Sequence, residues 1–157
     1  MKRQKGLTTV EFAIVGALFF IVLFGVIEFG RLLWVWGTLT EATRRGARVA
    51  VVCPVNHSAV ARITVFNDAG SDGSSPIIAG LSPANVAVTY LNASGNPTAS
   101  FSSIRYVRVG IVNYQHQLLI PFFDQLLNAP AFETTLPRES LGVPREGAGP
   151  ECFGTPA

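Results

Sequence analysis

The sequence predicts an α+β fold in which one long N-terminal transmembrane helix extends into a small antiparallel-sheet head with short helices. Three observations carry this. Residues 12–27 form a run of 16 with no charged side chain. Further along, apolar residues alternate at Val86, Val88 and Tyr90 and again at Val107, Val109 and Ile111, the period of a strand with one buried face. Between the two patterns stands Cys53-Pro54, which ends a helix because proline restricts the residue before it and cannot continue the hydrogen-bond ladder. The length, 157 residues, allows one ordinary domain.

The helix begins behind a compact basic cluster of Lys2, Arg3 and Lys5 in a short leader, residues 1–6. Residues 7–36 then carry only Glu11, Glu28 and Arg31 as charges, and they are ample for a hydrocarbon core of ~30 Å. Trp34 and Trp36 stand where an interfacial aromatic belt is expected. Glu28 and Arg31, three residues apart on one helical face, are expected to neutralise each other as an ion pair at the membrane boundary. The basic cluster should stay cytoplasmic, which sends everything after Arg31 outward. A cleaved secretory signal fits badly, since the apolar region is too long and no small-x-small site follows it closely. A plain single-span anchor satisfies the hydropathy equally well.

The helical pattern continues past the membrane through residues 37–53, making a rod of ~70 Å at ~1.5 Å per residue. Leu39, Ala42, Gly46, Val49 and Ala50 recur at three- and four-residue spacing and form a stripe of mostly small residues against which the head can pack closely. Arg44, Arg45 and Arg48 lie mostly off that stripe and read as a solvated face.

Residues 54–137 have the composition of a globular head. Val60, Ile63 and Phe66 predict a short helix over residues 58–69, and the Ser- and Gly-rich residues 70–76 a loop. Strands are expected over 85–91, 103–113 and 132–136, with Arg108 facing outward from the second. Leu118, Leu119, Phe122, Phe123, Leu126 and Leu127 suit a short amphipathic helix or a loop, interrupted at Pro121. From Arg138 the chain turns to Gly, Pro and charge, a tail over 138–157 with little to bury. A head of this size offers a modest core, so docking on the first helix should supply a substantial part of its stability.

Glu11 is the residue that hydropathy leaves unexplained. A carboxylate inside an apolar run costs ~2 to 3.5 kcal/mol at bilayer depth unless it is paired or reaches the interface. Its surroundings, Lys5-Gly6-Leu7-Thr8-Thr9-Val10-Glu11-Phe12, resemble a type IV prepilin cleavage site, a Gly followed by four residues and a Glu. The short leader and Phe12 resemble the tight-adherence (Tad/Flp) branch. Two further strings, Gly25-Val26-Ile27-Glu28-Phe29-Gly30-Arg31 and Thr40-Glu41-Ala42-Thr43-Arg44-Arg45-Gly46-Ala47-Arg48, resemble the TadE-like minor pilins (pseudopilins). One G-x-x-x-x-E arises often by chance, whereas all three strings in this order on one apolar helix are a specific signal. The resemblance extends over residues 5–52, with Gly16 standing where such proteins often carry proline.

The resemblance implies a pilin-like fold and a chain that is the substrate of a membrane prepilin peptidase, cut between Gly6 and Leu7 at the cytoplasmic face. The new α-amino group on Leu7 of one subunit could then meet Glu11 of another, so that Glu11, with Phe12 beside it, would set assembly register in an apolar bundle. The implied partners are the peptidase, other pilin subunits, the inner-membrane assembly platform and the lipid bilayer. The location implied is the bacterial inner membrane, with the head periplasmic or carried on an extracellular pilus that serves adhesion. With the head outside the cytoplasm, Cys53 and Cys152 are expected to form a disulfide, the alternatives being free thiols or bonds to a partner.

Little else in the chain suggests chemistry. A net charge of +2 is small, and most of the Arg and Lys lie before residue 63, at the membrane edge or on a helix, which disfavours nucleic acid. Two cysteines make no metal framework, and His57 and His116 lie in separate segments without ligand spacing, so neither metal nor cofactor is expected. No nucleophile elbow, phosphate loop or glycine fingerprint is present, and an enzyme is not expected. The reading from another class is a single-span anchored periplasmic binding or adhesion domain that enters no filament.

Overall fold

The computed structural model describes residues 5–119, 125–143 and 152, with side chains from residue 8 onward. A single helix, α1 (Lys5–Ala50), runs 46 residues without a break. Its first half stands free: the window that makes it long and apolar enough to cross a membrane has none of its residues buried within the molecule. Its second half is the spine of the head. Val35, Leu39, Ala42, Ala47 and Ala50 are fully or nearly fully buried, and Arg44, Arg45 and Arg48 face solvent. Of the stripe predicted from Leu39, Ala42, Gly46, Val49 and Ala50, Val49 is half-buried at its margin and the rest is the packed face, widened by Val35, Thr43 and Ala47.

Helix α2 (Ser58–Thr64) crosses this stripe. It begins at His57, whose Nδ1 accepts a hydrogen bond from the Ala59 amide at 3.2 Å. It stops short of the predicted residue 69, because Phe66 adopts φ +65° and turns the chain away. The close approach of α2 is why residue 46 is glycine: a β-carbon there would collide with Thr64 Oγ1 and stand 3.0 Å from Val109 Cγ1.

Three strands form an antiparallel sheet in the order β1 (Val86–Leu91), β2 (Tyr106–Ile111), β5 (Phe132–Pro137). The register pairs Val88 with Val109 and Val109 with Thr134. Val107, Val109 and Ile111 are buried against α1 and its neighbours, as the alternation predicts. The second strand is shorter than expected, since residues 101–103 form a 3₁₀ turn (Phe101–Ser103) ahead of it. Thr43 of α1 reaches Thr134 of β5, hydroxyl to hydroxyl at 2.9 Å, and ties the helix to the sheet edge.

Two further expectations need correction. Leu126 and Leu127 are not helical: Leu126–Asn128 is strand β4, paired with β3 (Gln115–Gln117) in a separate two-stranded sheet. The polar ladder of Gln115 with Asn128 holds these strands, with side-chain amides 3.1 Å apart, and the leucine pattern alone does not reveal it. Pro121, Phe122 and Phe123 lie outside the described residues. The second correction concerns the segment from Arg138. It buries Leu141 to 3% exposure and completes the end of α1. The amides of Glu139 and Leu141 donate to the Val51 carbonyl at 3.2 and 3.1 Å, and that of Gly142 donates to the Val52 carbonyl at 2.7 Å. These carbonyls follow the last helical turn and would otherwise need water. Gly142 sits at φ +77°, where a β-carbon would press on the Pro54 ring.

Candidate functional site

The most polar part of α1 in contact with the head is Glu28 and its surroundings. Glu28 is only 7% exposed although it lies on the otherwise bare half of the helix, because residues 116–119 fold down over it. Arg31, one turn on, donates from Nε to Glu28 Oε2 at 3.0 Å and from Nη2 to Oε1. The same Nη2 also donates to the Gln117 carbonyl. From the head, the Leu119 amide donates to Glu28 Oε1 at 3.3 Å, and His116 Nε2 stands 3.6 Å from that oxygen. The pair expected from the i, i+3 spacing is therefore present, and it is also the point at which the head grips the helix. A bidentate arginine satisfies a carboxylate better than a lysine could, and the head supplies a further donor.

His116 is the member that sequence reasoning missed. Read as a lone histidine, it is 1% exposed, and its Nε2 has no hydrogen-bond partner among the described residues. Burial pushes its pKa below the ordinary histidine range, and the Arg31 charge pushes it further down, against the opposing pull of Glu28. The side chain is therefore neutral near pH 7. The only hint in the sequence is its place in Gln115-His116-Gln117, where period-two alternation puts it on the face opposite two glutamines.

The two tryptophans divide. Trp34 is 55% exposed, as an interfacial residue would be, but Trp36 turns inward and packs on Phe132 with ring centroids 6.4 Å apart. Its indole Nε1 is buried with no hydrogen-bond partner among the described residues.

The other predicted residues lie far from this junction. Gly6 and Leu7 fall within the first turns of α1. Glu11 and Phe12 project outward, and Phe12 is among the most exposed apolar side chains. At the opposite end of the helix Cys53 and Cys152 form a disulfide with Cα atoms 5.0 Å apart. Among the described residues no three His, Cys, Asp or Glu side chains gather as metal ligands. Asp72 is instead occupied by Arg62, 2.7 Å from its carboxylate.

A family model described as "TadE-like protein" matches residues 6–48, which include the apolar half of α1, the Glu28–Arg31 pair and most of the packed stripe. Over these residues the chain is similar to the TadE-like family. The match associates the protein with Tad pilus systems and covers the segment that fits a single-pass membrane anchor. No curated protein and no solved structure matches the chain. The head beyond residue 48 thus stands outside the TadE-like match, joined to it through Glu28, Arg31 and the buried stripe.

Proposed function

We propose that this chain is a minor pilin or pseudopilin of a Tad-type pilus, made as a prepilin, cut between Gly6 and Leu7, and contributing to pilus assembly and surface adhesion. The observation that carries the reading is the TadE-like match beginning at Gly6 and enclosing both Glu11 and the free apolar half of α1. A helix bare on all sides needs lipid or other helices around it, and a pilin helix meets both in turn. Glu11 is the register device: in an apolar bundle only one stagger brings it to the α-amino group on Leu7 of a neighbour. The prepilin peptidase, the other pilin subunits and the inner-membrane assembly platform are the partners. The N-terminus is cytoplasmic and the head periplasmic. The role is structural, without catalysis or cofactor.

Intact mass of the membrane-extracted protein, with and without the peptidase, tests the processing step. A mature chain starting at Leu7 is expected. An intact Met1 in the presence of the peptidase would leave a single-span anchored domain instead. Glu11→Ala then separates assembly from insertion, the expected outcome being normal cleavage and membrane insertion with loss of co-purification with pilus subunits.

A further inference from the structure

The lower end of the head, β3, β4 and the loop at Ile77, lies beside α1 at the level where the apolar segment ends. Counting from Thr8, the helix reaches ~30 Å at Ile27, the thickness of a hydrocarbon core, so Glu28 to Trp34 fall in the interfacial layer. The head reaches down to that level. Leu118 lines a small groove with Gly25, Glu28, Phe29 and Leu32, and the Leu119 amide bonds Glu28. Around this contact the head exposes large apolar side chains: Leu119 at 67%, Leu126 at 55% and Ile77 at 47%. Together with Trp34 and Arg31 they border one open groove of about 510 Å³. Their position continues the apolar surface of the helix itself, so the exposed side chains form one patch with it.

We propose that this end of the head is a membrane-contact surface, seated in the phospholipid interface alongside α1. The chemistry of its residues matches that layer. Trp34 belongs at the headgroup level, Arg31 keeps its charge at the boundary beside Glu28, and the exposed leucines meet acyl chains. The two strands pair with each other along one edge each, and their outer edges stay at the headgroup level, where water and polar headgroups reach them. The helix and the head thereby make one continuous lipid-facing surface, and the head is held at a fixed height and tilt above the bilayer. This inference rests on α1 spanning the membrane.

The test is collisional quenching in nanodiscs made with phospholipids brominated along the acyl chain. Single cysteines at Leu119→Cys, Leu126→Cys, Val22→Cys and Ser94→Cys are labelled with bimane in the full chain, without reductant so that the Cys53–Cys152 bond stays closed. All four sites are exposed, so the fold tolerates the label. The expected result is loss of emission at 22, 119 and 126 and none at 94, which lies in the turn after β1. Quenching at 22 with 119 and 126 behaving like 94 overturns the surface while leaving the span intact. Absence of quenching at 22 removes the span, and the surface with it. A blue shift at 119 and 126 without quenching means that a protein neighbour covers the leucines, and also overturns the proposal.

Discussion

Gly46 of α1 and Thr64 of α2 approach so closely that one methyl group cannot be added between them. The hydroxyl of Thr64 is turned back to its own helix, donating to the Val60 carbonyl at 2.7 Å, and its Oγ1 and Cβ fill the space a side chain at 46 would need. The head docks on α1 through this contact and through the Thr43–Thr134 pair on the sheet side.

Gly46→Ala is therefore expected to lower stability by about 1–3 kcal/mol, the usual cost of overpacking a tight contact. Thr64→Ala in the same chain should recover part of the loss. Gly37, where an added β-carbon would meet nothing within 4 Å, serves as the control. There Gly→Ala should raise stability by about 0.5–1 kcal/mol through helix propensity alone. Thermal unfolding in detergent followed by far-UV circular dichroism measures each variant against the parent chain.

Glu28→Gln should loosen the head from the helix without unfolding either. It removes the charge that Arg31 and the Leu119 amide share, a loss of about 1–3 kcal/mol for charge-assisted hydrogen bonds at a partly buried site. Arg31 is one-third exposed and is partly rehydrated in the variant, which keeps the loss toward the lower end. Hydrogen exchange should quicken at residues 116–119 and stay unchanged in β1 and β2.

His116 makes the same junction sensitive to acid. Its pKa in the folded protein is lower than in the unfolded chain, chiefly because it is buried and then because Arg31 is near, so below about pH 6.5 the unfolded chain binds the extra proton more readily. The stability tied to neutral His116 is complete above that pH and is lost as pH falls toward the folded value. The melting temperature should drop as pH falls below about 6.5, and His116→Gln should flatten that part of the profile. An unchanged slope in the variant would assign the drop to other groups.

The Cys53–Cys152 bond closes a loop spanning 99 residues. Chain entropy gives it roughly 4 to 5 kcal/mol. Alkylation before reduction should leave the mass unchanged and alkylation after reduction should raise it. Reduced protein should melt lower, with the segment from Glu139 to Gly142 the first to become protease-sensitive.

The helix is legible from charge and hydropathy, because a run of 16 uncharged residues and a packed stripe beyond it admit few other arrangements. The strands at 86–91 and 106–111 are legible from alternation, since each has one buried face. The Glu28–Arg31 pair can be read from spacing, but its burial cannot. That depends on residues 116–119, some ninety positions away, arriving over it. The β3–β4 pairing is hidden for a related reason, as its leucines are exposed and the period that marks a core strand is missing. Leu141 is hidden by its neighbours: one apolar residue among Gly, Pro and charge looks like tail, and only the open carbonyls of Val51 and Val52 give it a place.

Those two carbonyls also set an order of events. The helix that leads into them is synthesised well before the groups that satisfy them, which come from residues 139–142. The central strand β2 likewise waits for β5, which follows it in the chain by more than twenty residues. A ribosome that has delivered the whole apolar helix has delivered an unfinished rod with a frayed upper end. The head can close only after residues 132–142 have joined β2 and the end of α1. Truncation anywhere before Phe132 would thus leave the long apolar helix whole and the head without the third strand of its sheet.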